Sequence, residues 1–186
     1  MMAGVPEALL FNCQDEDPEM RKLACETLRL IVQYERGSQQ VLEAGGLEVL
    51  VGLLQDPVDF VRDAAYTALL EACRFEHPRE ALVAQETTLP MVVGKLLDEK
   101  APHVRDKAIC LLDACLNVQR NEDALRQSLE ASDALYACGV LLDPSRDIHT
   151  REKAAALVAR CVAAPFSCWL AAPWQALSLV SNAAAG

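Results

Sequence analysis

Apolar residues along this chain recur at helical spacing. After Phe60 they fall at Val61, Ala64, Ala65, Ala68, Leu69, Ala72 and Cys73. These three- and four-residue steps form one broad stripe and predict an amphipathic helix. Ahead of it, residues 47–54 predict a short apolar helix. Gln55-Asp56-Pro57 ends that helix, because proline cannot continue a helix and restricts the residue before it. Asp59 stands where it can cap the helix that follows. The same punctuation returns at Asp17-Pro18, Ala101-Pro102 and Asp143-Pro144. Shorter helices are predicted at 38–44, stopped by Gly45-Gly46, at 78–85 with proline in the first turn, and at 121–131.

These elements repeat in phase. Leucine pairs stand at Leu9-Leu10, Leu53-Leu54, Leu96-Leu97 and Leu141-Leu142, each followed by a turn and then by Arg21, Arg62, Arg105 or Arg151. Alanine comes three residues after each arginine (Ala24, Ala65, Ala108, Ala154) and an aliphatic residue four further on (Leu28, Leu69, Leu112, Val158). The arginines are 41, 43 and 46 residues apart, within the range of repeats built from helical pairs or triplets. A full unit reads as a short, a medium and a long helix, the three-helix armadillo pattern. The prediction is an all-α, right-handed α-solenoid of about four armadillo/HEAT-like repeats over residues 1–164. Its first repeat is incomplete, because only the medium helix precedes Asp17. Residues 165–186 form an uncharged tail or capping helix. A repeat buries its apolar face only against neighbours, so the open first repeat is expected to be covered by a partner or to continue a longer array.

The run from Leu47 to Leu69, Leu-Glu-Val-Leu-Val-Gly-Leu-Leu-Gln-Asp-Pro-Val-Asp-Phe-Val-Arg-Asp-Ala-Ala-Tyr-Thr-Ala-Leu, closely resembles the armadillo consensus. The resemblance covers roughly residues 7–163. Its Leu-Leu-x-Asp-Pro-Val-x-x-Val stretch, and Ala81-Leu-Val-Ala-Gln-Glu86, most resemble the radial-spoke armadillo proteins of ciliary axonemes, which are usually longer. That likeness implies a structural component of the cilium or flagellum that bridges other proteins in a large assembly. A soluble cytoplasmic adaptor, such as a chaperone cofactor or a degradation adaptor, is the alternative on the same scaffold. Nuclear-import carriers of this fold line their groove with Trp and Asn ladders. Here the corresponding positions hold Glu26, Thr67, Cys110 and Ala156, and Leu30, Glu71, Ala114 and Arg160, so that mode of peptide capture is not expected.

Composition narrows the partners. The formal net charge is −10, which repels phosphate backbones and argues against nucleic acid. Eight cysteines occur without a CxxC pair, and most sit at apolar helical positions. They read as reduced core thiols of an intracellular compartment. Residues 161–186 carry no charged side chain, but Pro165 and Pro173 interrupt them, and a bilayer span needs about 20 mostly apolar residues. Membrane insertion is not expected.

No catalytic constellation is visible. His77, His103 and His149 each stand near a turn, and no HExxH or phosphate-loop pattern occurs. The acidic run Asp15, Glu16, Asp17 and Glu19 sits at a helix start, where negative charge suits the dipole. Gly94 and Gly139, isolated in helices, are expected to let neighbouring repeats approach closely. The reading is a non-enzymatic scaffold without metal, cofactor or small-molecule substrate. Its predicted partner-binding groove is lined by Arg62, Tyr66, Leu70, Arg74, Ile109, Cys110, Asp113 and Asn117. Tyr66, Leu70 and Ile109 lie off the core stripe, so they either meet a partner or bury against a neighbouring repeat. The recurring arginines are expected to cover the helices and pair with acids such as Asp63 and Asp106, or else to form a basic groove edge.

Overall fold

The computed structural model describes residues 4–116 and 134–163, which are helical throughout their regular elements, with no strand among them. The predicted helix at 121–131, Asn117 and the tail 165–186 lie outside the described residues. Ten helices are described: α1 Val5–Asn12, α2 Pro18–Val32, α3 Glu35–Glu43, α4 Gly46–Leu53, α5 Asp59–Ala72, α6 Glu76–Ala84, α7 Thr88–Asp98, α8 Pro102–Cys115, α9 Ala134–Leu141 and α10 Ile148–Ala163. The helices α3–α4–α5 and α6–α7–α8 are the predicted triplets, with the third member longest in each. Pro18 and Pro102 occupy first-turn positions, where the missing N–H costs nothing.

The chain divides into two compact units, residues 1–82 and 83–186. In the first, α1 packs on α2 and α4 on α5, so each medium helix covers its own long helix. The long helices α2 and α5 then pack along each other, and α1 meets α4. Leu28, Leu50, Leu54 and Leu69 are fully enclosed, each contributing about 1.5–3 kcal/mol by burial. Lys22 reaches from α2 over the Phe60 ring, 5.6 Å from its centroid. In the second unit α7 packs on α8 and α9 on α10, with α7 against α9 and α8 against α10. The same stacking rule, medium on medium and long on long, operates in both.

Glycine matters most at the α3–α4 corner. Gly45 has φ +77°, which an L side chain adopts only with strain. A Cβ at Gly46 stands 2.4 Å from Val41 Cγ1 and 3.3 Å from Leu10 Cδ2. The hydrogen at Gly46 is what lets α1 and α3 close on this corner. Among the described residues a Cβ at Gly94 meets nothing within 4 Å, so none of them makes the close approach expected there. The cap expected of Asp59 also shifts. Asp59 is the first helical residue, and among the described residues its carboxylate accepts from the neighbouring Phe60 N–H at 2.8 Å.

Candidate interaction surfaces

Three of the recurring arginines, Arg21, Arg62 and Arg105, clamp the turns. Arg21 donates through Nη1 to the carbonyls of Asp15 (2.9 Å) and Glu16 (3.0 Å). Arg62 does the same to Asp56 (2.8 Å) and Pro57 (3.1 Å), and Arg105 donates to the Glu99 carbonyl. In each case an acid six residues earlier folds its side chain over the turn. Asp15 Oδ1 accepts from the Asp17 N–H, Asp56 Oδ1 from Val58 and Glu99 Oε1 from Ala101, at 2.8, 2.9 and 3.0 Å. Helix starts leave carbonyls and N–H groups of the preceding turn without helical partners, and this arginine–acid pair satisfies both kinds. Its signature, an acid six positions before Arg21, Arg62 and Arg105, stands in the sequence but is not singled out by the periodicity.

Arg21 extends the clamp to the next repeat. Its Nε and Nη2 reach Asp56 Oδ2 and Oδ1 at 2.7 and 3.0 Å, a bidentate pair with both side chains largely buried. The bonds from Arg21 to Asp56 hold the guanidinium pKa above its ordinary value. The pairing expected between Asp106 and a recurring arginine is replaced. Asp106 accepts instead from the Thr150 hydroxyl (2.9 Å) and Lys153 Nζ (2.7 Å), and Asp113 from Arg160. In the fourth repeat Ser145 stands where Asp15, Asp56 and Glu99 stand in the others, and Arg105 Nε is buried with no hydrogen-bond partner among the described residues.

The predicted groove is altered by these positions. Tyr66 and Ile109 are 0% and 2% exposed, so they are core residues and present no apolar surface to a partner. A long helix inside a stack is covered by its own medium helix and by neighbouring long helices, so residues outside the main stripe are buried too. Arg62 donates to the carbonyls of its turn. Leu70 is half-buried on α5, and Arg74 is exposed there, 3.2 Å from Glu71. On α8, Cys110 is half-buried, with its thiol pKa raised chiefly by desolvation, the opposite of an activated nucleophile. Asp113 is partly exposed and bonded to Arg160.

His77, His103 and His149 are exposed. Among the described residues no group of three His, Cys, Asp or Glu side chains could hold a metal ion, and no helix is long and apolar enough to cross a membrane. The acidic run begins α2 as expected: Asp17 is the N-cap and accepts from the Glu19 N–H at 3.0 Å. The described cysteines are free thiols. Cys13 and Cys25 are fully buried against each other, and their mutual hydrogen bond lowers the Cys13 pKa and raises that of Cys25.

Stacked three-helix units with clamped turns define an armadillo-repeat protein. Solved structures agree on the fold. A crystal structure of computationally designed armadillo repeat proteins for modular peptide recognition aligns with a TM-score of 0.74 at 22% identity, over 97% of this chain and 71% of that one. A designed armadillo repeat protein in complex with peptide (KR)4 aligns at 0.75 and 23%, over 98% and 72%. Among curated proteins, the chain is a homologue of radial spoke protein 14 of Chlamydomonas reinhardtii, 33% identical over 162 residues. That match covers 84% of this chain but 42% of the relative, so the chain spans under half the relative's length. No family model matches the chain.

Proposed function

We propose that this chain is a non-enzymatic scaffold of the ciliary or flagellar axoneme, holding other proteins in a radial-spoke-type assembly. The observation that carries this reading is the homology to radial spoke protein 14 along most of the chain. The architecture supports it: Arg21, Arg62 and Arg105 serve turns, and Asp106 and Asp113 of α8 are engaged by Lys153 and Arg160 of α10. Partner contact falls to exposed surface on the long helices, with Leu70 and Arg74 on α5 and Cys110 and Asp113 on α8 as candidates. The test is a tagged chain expressed in ciliated cells whose axonemes are stripped of membrane by detergent and washed in salt. Retention with the radial-spoke fraction is the expected result. Complete release with the soluble cytoplasmic proteins overturns the reading and favours the adaptor alternative.

A further inference from the structure

The outer face of α2 carries an apolar stripe that the fold leaves open. Met20, Leu23, Thr27 and Leu30 follow in three- and four-residue steps, and Tyr34 continues the line just past the helix. Leu23 is 55% exposed, Leu30 50% and Tyr34 67%. Matching the repeats on their arginines shows what these positions do elsewhere. Their fourth-repeat equivalents are Thr150, Lys153, Leu157 and Arg160 on α10. Thr150 and Lys153 bond Asp106, and Arg160 bonds Asp113, all on α8, the long helix of the preceding repeat. Leu157 is buried. In the second repeat the equivalents Val61, Ala64 and Ala68 are buried as well. The stripe is thus the face by which a long helix grips the repeat before it.

A second observation points the same way. Asp56 receives the guanidinium of Arg21 from the preceding repeat. Asp15 holds the same turn position in the first repeat, yet among the described residues no side chain donates to its carboxylate, which takes only the Asp17 N–H. Exposed Glu16, Asp17, Glu19 and Glu26 accompany it. This favours a basic occupant and disfavours a second copy, whose acidic residues would lie against these.

We propose that the outer face of α2, with Asp15 at its head, seats the long helix of a further armadillo-type repeat that is aliphatic along its seam and supplies an arginine to Asp15. The stripe is apolar where α10 uses Thr150, Lys153 and Arg160. The occupant's seam is therefore apolar where α8 offers Asp106 and Asp113. This inference rests on the stacking and is independent of the axonemal reading.

The experiment joins one designed armadillo repeat, continued by a first helix and bearing arginine at the Arg21-equivalent position, in repeat register ahead of the full chain. Hydrogen exchange of the α2 amides and emission of 8-anilinonaphthalene sulfonate are compared with the unfused chain. Slowing of α2 exchange by about tenfold or more, with loss of dye emission, is expected. Asp15→Asn, and Arg→Ala in the added repeat, should each cut that protection, and the two together no further. Leu23→Asp with Leu30→Asp should abolish it. Unchanged exchange and emission in the fusion overturn the proposal. Sedimentation of the unfused chain provides a separate check. A dimer that Leu23→Asp dissolves overturns the proposal, because the occupant is then a second copy.

Discussion

The long helices α2 and α10 use the same repeat positions in opposite ways. On α10, Thr150, Lys153 and Arg160 meet the carboxylates of Asp106 and Asp113. On α2, Met20, Leu23 and Leu30 face solvent. The contrast separates two properties of a repeat. Its position in the helix fixes which way a side chain looks, and so where a neighbour must sit. The side chain placed there fixes which neighbour fits. A polar key demands a matching carboxylate, whereas an apolar seam accepts any close-packed helix and leaves specificity to Arg21-type pairs at its head.

The comparison breaks most visibly at the Arg21–Asp56 pair, which joins first and second repeats. Asp56→Ala removes the carboxylate while the largely buried guanidinium stays. A buried charge left without its partner costs about 3–5 kcal/mol. Thermal unfolding should show the loss. The double variant Arg21→Ala with Asp56→Ala should cost less than the two single variants added, since the pair acts as a unit. Asp15→Asn, at the same turn position without an arginine, should be nearly silent.

Alkali probes the buried thiols of the long helices. Burial pushes the Cys73 thiol, at the end of α5, up to about 12 from an ordinary 9.0. The unfolded chain releases this proton near pH 9 while the folded chain keeps it. The stabilisation is therefore fully present below pH 9 and is lost as pH rises from 9 to 12, by at most about 4 kcal/mol. Stability measured by denaturant between pH 8 and 11 should fall with pH. Cys73→Ala should flatten that fall in part, with the shares of Cys25 and Cys110, also raised, remaining.

A smaller effect is expected on the polar side. Asp106→Ala takes away the acceptor of both Thr150 and Lys153. Thr150 is fully buried, so its hydroxyl is left unsatisfied at a cost of about 1–3 kcal/mol. Lys153 is about one-third exposed and regains water, adding little. Asp106→Ala with Thr150→Val should recover much of the loss, because both partners are then gone.

The helices and their phase were legible because a repeat prints its own period: Leu pair, proline turn, arginine and alanine recur together. What could not be read was which side of a long helix stays outside. A helical wheel of α5 shows one apolar stripe with Tyr66 beyond it, yet in the stack Tyr66 is wholly buried, as is Ile109 on α8. Their burial depends on neighbours distant in sequence. Arg62 misled for a related reason. A charged residue at a repeated position looks like a surface feature, but Arg62 donates to carbonyls of its own turn, which carry no side-chain signature. Gly46 was read as a helix stop. Its tight approach to Val41 and Leu10 became visible only once α1, α3 and α4 were packed together.

The mildest change tests the comparison most sharply. Leu23→Ala and Leu30→Ala remove side chains that are half in water, so each should alter stability by no more than about 0.5 kcal/mol. Leu28→Ala on the same helix deletes a fully buried side chain and should cost about 2–5 kcal/mol, the transfer loss plus the cavity. The three residues share one helix and one residue type, so propensity cancels and only burial differs. If Leu23→Ala proved as costly as Leu28→Ala in the isolated chain, the stripe would already be covered. A seam that is silent alone and becomes costly only beneath an added repeat is the behaviour that separates an open stacking face from an ordinary solvated one.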